Sequence, residues 1–353
     1  VVPEALAIPG IVNYLLRSTV MKIIVPMAGM GKRMRPHTLT TPKPLIPVAG
    51  KPIVQRLVEG LATMCNEKIT EVAYIVGRFG KEAEQNLKQI AENLGAKGSI
   101  YYQDEPLGTA HAIMCAQESI SGPVIVAFAD TLFYADFQID SSKDGVIWVH
   151  QIPDPSAFGV VLTNQEGDIV DFIEKPKQFI SDLAIIGIYF FNDGDYLKSE
   201  LKYLLDNDIR EGGEYQITTA LKNMNLKGKK LSTGKVREWL DCGNKDATVY
   251  SNQRVLINSS NDSLVHPTAS IENATILQPS FIGENAIIRN SVIGPYASIG
   301  QGSVIDSSII KNTIVQAHTK LNRLIVEDSM IGNYCEMHGK PENVSIGDYT
   351  RTI

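Results

Sequence analysis

At 353 residues, with 44% hydrophobic and 20% charged side chains, the chain has the composition of a globular protein long enough for two domains. Its net charge is −6 and no apolar run approaches a membrane span, so neither a nucleic acid nor a membrane is an expected partner. The four cysteines (65, 115, 242 and 335) lie far apart without a CxxC pair and read as thiols of a reducing cytoplasm, and the six histidines show no metal-ligand spacing.

Residues 1–20 are mildly apolar and lack a basic leading segment, so they read as an N-terminal extension ahead of Met21. Residues 21–27 read as a buried strand, with Ile23, Ile24 and Val25 running into Pro26. Ala28-Gly29-Met30-Gly31 follows, small enough for backbone N–H groups to approach an anion, and Lys32, Arg33 and Arg35 come at once. Two familiar glycine motifs are excluded. A dinucleotide fingerprint needs glycine where Met34 sits, and a P-loop needs Ser or Thr where Arg33 follows Gly31-Lys32. Residues 22–58 hold seven Lys or Arg and no Asp or Glu, a local asymmetry that points to an anionic ligand in an acidic chain.

From 21 to about 258 strand-like runs (71–77, 99–102, 123–129, 145–150, 184–191) alternate with helical stretches (53–64, 81–94, 109–118, 195–206). This βαβ rhythm predicts a Rossmann-like, mostly parallel sheet with ligands at the carboxyl ends of its strands, where the 28–35 loop and the Asp130 turn fall. A polar linker, residues 258–263, then leads into isoleucines and valines recurring about every six residues: Ile271, Ile276, Ile282, Ile288, Ile293, Ile299, Ile305, Ile310 and Val315. That period resembles the hexapeptide signature of a left-handed parallel β-helix, loosening around 316–323 and resuming at Ile331-Gly332 and Ile346-Gly347. The expected organisation is an extension (1–20), an α/β domain (21–258) and a β-helix domain (259–353).

Gly29-Met30-Gly31-Lys32-Arg33-Met34-Arg35-Pro36-His37-Thr38 and Pro42-Lys43-Pro44-Leu45-Ile46-Pro47 together resemble the signature of the sugar-1-phosphate nucleotidyltransferases. The resemblance runs in order through about 230 residues. It implies that Ala28, Gly29, Gly31 and Arg33 bind the nucleotide, with Arg33 holding the triphosphate and Lys43 contacting phosphate near the reacting centre; Lys32, Arg35 and Lys51 read as solvated surface cations. It implies further that Asp130 and Asp241 hold Mg²⁺; Ala129 stands where the family usually has glycine. Gln103 and Gly108, in Gln103-Asp104-Glu105-Pro106-Leu107-Gly108-Thr109-Ala110, match the base-recognition segment, and a glutamine amide suits the O4 and N3–H edge of thymine or uracil.

Gly159, Glu174 and Lys175 match the positions that hold the sugar and its phosphate, and Tyr215-Gln216-Ile217-Thr218 resembles a further helix-start motif. Some relatives carry an arginine near this motif; here Gly212 and Gly213 take the near positions and Arg210 lies upstream. The implied reaction joins an NTP, with dTTP the leading candidate, to a sugar 1-phosphate, with glucose 1-phosphate leading. Alternatives are a UTP- or GTP-using enzyme for a mannose or heptose phosphate, a bifunctional nucleotidyltransferase and acyltransferase using His266, His318 or His338, and a non-catalytic regulatory subunit. The β-helix wall predicts a homo-oligomer.

Overall fold

The computed structural model describes residues 20–136, 138–259, 264–342 and 345. The expected N-terminal extension, apart from Val20, and the Ile346-Gly347 hexad lie outside them. The chain divides into two compact units, one holding Ile53–Asp241 with the chain up to Leu45, the other holding Ile46–Pro52 with the chain from Cys242. This division differs from the expected boundary at 258. The helix before that boundary is tied into the second unit, where Asn252 Oδ1 accepts from Ala49 N and from Ser298 Oγ.

The first unit is built on β1 (Val20–Pro26), which is followed in the second unit by the short hairpin β2 (Pro47–Val48) and β3 (Lys51–Pro52). Then come β4 (Lys68–Val76), β5 (Lys97–Tyr102), β6 (Val124–Ala127), β7 (Thr131–Tyr134), β8 (Gly145–Gln151), β9 (Val160–Thr163), β10 (Ile169–Ile173), β11 (Leu183–Phe191), β12 (Leu231–Lys235) and β13 (Glu238–Asp241). The helices are α1 (Ile53–Met64), α2 (Lys81–Asn93), α3 (Thr109–Met114), α4 (Gly194–Asp206) and α5 (Ile217–Leu226), with α6 (Lys245–Asn258) in the second unit.

Nine strands form one sheet in the order β10-β9-β11-β6-β1-β4-β5, with β8 pairing both β11 and β12. The β6-β1-β4-β5 half is parallel; β11 runs antiparallel to β6, β8 and β9. Ile23, Ile24 and Val25 are fully buried, as a continuous apolar run demands of a central parallel strand. Because β1 lies between β4 and β6, successive connections leave it in opposite directions, and that reversal opens a crevice at the carboxyl ends of β1 and β6.

The 109–118 helical stretch closes earlier than expected. After Met114, Ala116 N bonds Ile113 O, Gln117 N bonds Met114 O and Ser119 N bonds Ala116 O, so the chain continues as tighter three-residue turns. The 123–129 strand likewise stops at Ala127, where Phe128 N turns to Gly187 O at 2.9 Å.

In the second unit, parallel ladders stack Ile288 on Ile305 and Leu321, Ile293 on Ile310, and Ile299 on Val315 and Ile331. Three such sheets enclose a core of these side chains, the parallel β-helix that the hexads predict. The loosening at 316–323 is one of letters only, because buried Leu321 takes the hydrophobic place. Left-handed backbone at Asn273 and Asn290 turns successive coils, and Asn273 Nδ2 donates to Asn290 Oδ1 at 2.8 Å, 17 residues on. Ile271, on the first rung, is 40% exposed.

Candidate active site

Beyond β1 the chain stays beside β4 for one residue, with Met27 N on Ile75 O at 2.8 Å, and then enters a loop of three short 3₁₀ turns, Lys32–Met34, His37–Leu39 and Lys43–Leu45. Fully buried Met34 anchors it. Gly31 has φ 56°, and a Cβ there would lie 3.0 Å from both Lys43 Cβ and Thr38 Cγ2, while Thr38 Oγ1 donates to Gly31 O at 2.8 Å. Only glycine suits that position. Gly29 is different: a Cβ there would meet nothing within 4 Å, so the fold itself gives no steric reason for glycine. Ala28 is half-buried, and Gly29 and Arg33 are exposed.

Lys43 follows Pro42 in the third turn, closed by Leu45 N on Pro42 O at 2.9 Å. Its ammonium donates to Asp130 Oδ2 at 2.8 Å, with the lysine side chain 11% and the aspartate 41% exposed. Asp130 stands at the bend between β6 and β7, just past buried Ala129. The antiparallel pair β7 and β13 sets Asp241 opposite Thr131, so residues 110 positions apart in sequence become neighbours across one ladder. The fold thus bonds Lys43 to Asp130 and sets Asp241 across the ladder from the residue after Asp130.

Gln103 leaves β5 with its backbone N on Val76 O at 3.0 Å. Its Nε2 donates to Gly108 O at 3.2 Å and lies 3.1 Å from His111 Nδ1. A carbonyl only accepts, which turns the amide nitrogen toward Gly108 and commits both of its hydrogens inside the protein once His111 accepts the second. Burial holds His111 below the ordinary imidazole range, against an upward pull from Glu105, and so favours the neutral ring, which accepts at Nδ1 in one of its two tautomers. In that tautomer both amide hydrogens of Gln103 are engaged and its Oε1 stays available as an acceptor. Gly108 also has a reason inside the protein: at φ 114° a Cβ would lie 2.5 Å from Tyr215 O and 2.7 Å from Tyr215 N.

A second cluster forms where β9, β10 and α5 begin or end. Glu174, just past β10, accepts from Thr218 Oγ1 at 3.2 Å and has Lys175 Nζ at 3.5 Å from its other oxygen. A Cβ on Gly159 would lie 3.1 Å from Glu174 Oε2 and 3.2 Å from Thr218 Cγ2. Lys175 adopts φ 40°, which directs it out of the strand, and its side chain is 59% exposed. Arg210 is engaged elsewhere, its Nε on Asp208 Oδ1 at 2.7 Å and its Nη2 on the Tyr215 hydroxyl at 2.9 Å.

Sequence reasoning missed three participants: His111 and Thr218, which steady Gln103 and Glu174, and Trp239. Trp239 packs edge-on against Phe158 at 5.1 Å, and its buried Nε1 has no hydrogen-bond partner among the described residues. Thr218 had a signal, since it stands inside the motif at 215–218; His111 had none. The histidines of the second unit are engaged locally, His266 with Thr268, His318 stacked on Tyr334 and His338 with Glu336.

A sheet with its topological reversal at β1, a cationic glycine loop and paired carboxylates at the strand ends is the architecture of an α/β enzyme that handles nucleotide phosphates. Residues 22–257 match the nucleotidyl transferase family, and the chain belongs to it. It is 27% identical over 359 residues to a glucose-1-phosphate thymidylyltransferase of Streptomyces griseus, covering 94% of this chain and 99% of that protein. It is 35% identical over 191 residues to the mannose-1-phosphate guanylyltransferase catalytic subunit beta of Drosophila pseudoobscura pseudoobscura, covering 51% and 50% respectively. A solved UDP-glucose pyrophosphorylase complexed with UDP-glucose shares the fold with a TM-score of 0.56 at 24% identity, covering 68% of this chain and 99% of that one.

Proposed function

We propose that the chain transfers a nucleotidyl group from an NTP, with dTTP the leading candidate, to a sugar 1-phosphate, with glucose 1-phosphate leading. The observation that carries this reading is the β7-β13 register, which sets Asp241 beside the Asp130 turn while Lys43 reaches Asp130 from the glycine loop. A phosphate oxygen of the sugar 1-phosphate attacks the α-phosphorus, a new P–O bond forms, and the bond to the oxygen bridging to the β-phosphorus breaks with release of pyrophosphate. The attacking oxygen is already anionic at neutral pH, so the protein's work is to position two anions and offset their charge. Arg33 and Lys43 supply fixed positive charge on the nucleotide side, and Glu174 and Lys175 engage the sugar hydroxyls and its phosphate.

Asp130 and Asp241 are hard oxygen donors suited to Mg²⁺. Mg²⁺ is typically held by one or two carboxylates together with phosphate oxygens of the substrate. Bound there, Mg²⁺ would neutralise phosphate charge as the bond to pyrophosphate breaks.

The thymidylyl assignment draws on the Streptomyces relative and on Gln103, whose free acceptor fits an imino N–H such as N3–H of thymine or uracil, or N1–H of guanine. A homo-oligomer is supported by an outward ladder of Val292, Ile309 and Ile325 on the β-helix, the last two 46% and 82% exposed; a monomer by light scattering at micromolar protein would reject it. A reducing cytoplasm suits the four free cysteines.

The deciding assay measures pyrophosphate release for each NTP against a panel of sugar 1-phosphates with Mg²⁺. Turnover is expected with dTTP and glucose 1-phosphate and is expected to vanish in a folded Asp241→Asn variant. No turnover with any pair would reject the reading, and near-normal rates in the variant would move the metal elsewhere.

A further inference from the structure

Lys43 is bonded to one of the two carboxylates proposed for the metal. Its side chain is 11% exposed and that of Asp130 41%, and the ammonium finds its anion in Asp130 Oδ2 at 2.8 Å. We propose that Lys43 is the internal stand-in for the metal ion: in the nucleotide-free enzyme it neutralises Asp130, and a divalent cation is admitted only when an incoming triphosphate draws the ammonium away.

A dication on Asp130 would sit within a few ångströms of Lys43 Nζ, where like charges repel, with solvent at the 41% exposed aspartate screening only part of that repulsion. A triphosphate reverses the sign of that interaction by giving the ammonium a new anionic partner. Lys43 is tethered close enough for the exchange to be local, because its Cβ lies against Gly31 in the glycine loop while its Nζ reaches Asp130. Nucleotide and metal are therefore positively coupled, and by linkage each raises the affinity for the other. The arrangement keeps the carboxylates from trapping a metal without substrate, and it makes the nucleotide the species that opens the metal site.

This inference rests on the metal reading of Asp130, so the experiment separates the two. Binding of Mn²⁺, used as the probe, is followed by the loss of its free electron paramagnetic resonance signal, with and without a dTTP analogue whose α,β-bridge is a methylene. Wild type, Lys43→Met, Lys43→Gln and Asp130→Asn are compared, each checked for a native melting transition. Without nucleotide, the two Lys43 variants should bind Mn²⁺ at least tenfold more tightly than wild type, and the analogue should abolish or reverse that gap. Equal affinities for wild type and both Lys43 variants without nucleotide, including no binding by any of them, overturn the stand-in role. If Asp130→Asn leaves Mn²⁺ binding with the analogue unchanged, the metal reading itself fails. If it weakens that binding while the Lys43 variants match wild type, only the present inference fails.

Discussion

Replacing Gly108 by alanine tests whether the segment expected to read the base is held by the protein's own backbone. At φ 114° an alanine is strained wherever its methyl points, a cost of about 1–3 kcal/mol. The methyl would also lie 2.5 Å from Tyr215 O and 2.7 Å from Tyr215 N, backbone atoms that cannot swing aside. Relief must stretch or break Ala110 N to Tyr215 O (2.9 Å) and Tyr215 N to Leu107 O (2.8 Å). Each such bond contributes roughly 0.5–1.5 kcal/mol, while the stiffer unfolded chain returns about 0.4–1 kcal/mol. The net loss is about 3 kcal/mol, which for a unit of this size lowers Tm by roughly 6–12 °C. Calorimetry of the variant reads this directly. Gly29→Ala is the matched control: its methyl meets nothing within 4 Å, so Tm should stay within about 1–2 °C of wild type, while KM for the nucleotide rises if a ligand approaches that backbone. A Gly108→Ala protein melting like wild type would refute the packing argument, and a Gly29→Ala protein with unchanged nucleotide KM would refute the reading of Gly29 as a close-approach point.

Gly159→Ala places a methyl 3.1 Å from Glu174 Oε2 and 3.2 Å from Thr218 Cγ2, so KM for the sugar 1-phosphate should rise several-fold with KM for the NTP unchanged; equal effects on both substrates would remove Gly159 from the sugar side. His37 and His111 are both lowered from 6.5 by burial. The unfolded chain therefore binds more protons than the folded one below that value, so their contribution is complete above about pH 6.5 and is lost as pH falls through it. Melting temperatures between pH 7.5 and 5.5 should fall less steeply in His111→Asn than in wild type, and parallel curves would exclude His111 from that window. Burial, helped by Glu67, pushes the Cys65 thiol up to about 12; it should therefore react with a disulfide reagent at pH 8 far more slowly than a free thiol, as peptide mapping of the labelled protein would show.

Much of this protein is written locally. The apolar run at Ile23 to Val25, the glycines at 29 and 31, and the six-residue phase from Ile282 to Val315 follow from short-range constraints: burial on both faces, backbone room and stacking of successive coils. The family resemblance was enough to nominate Lys43, Asp130, Asp241, Glu174 and Lys175. It could not say which of them meet. The antiparallel run of β11 within a largely parallel pattern, and the pairing of β7 with β13, are choices among long-range partners that residue periodicity leaves equal. His111 on Gln103, Thr218 on Glu174 and the Tyr215 backbone against Gly108 belong to the same kind: each joins side chains or backbone from different elements, and only closure of the tertiary structure decides which partner a polar group finds. The sequence by itself determined what chemistry the chain carries and the order of its elements. The tertiary structure decided that Lys43 bonds Asp130 and that Gln103 Nε2 turns to Gly108 O, because hydrogen bonding and charge depend on distances of a few ångströms that positions along a chain do not contain.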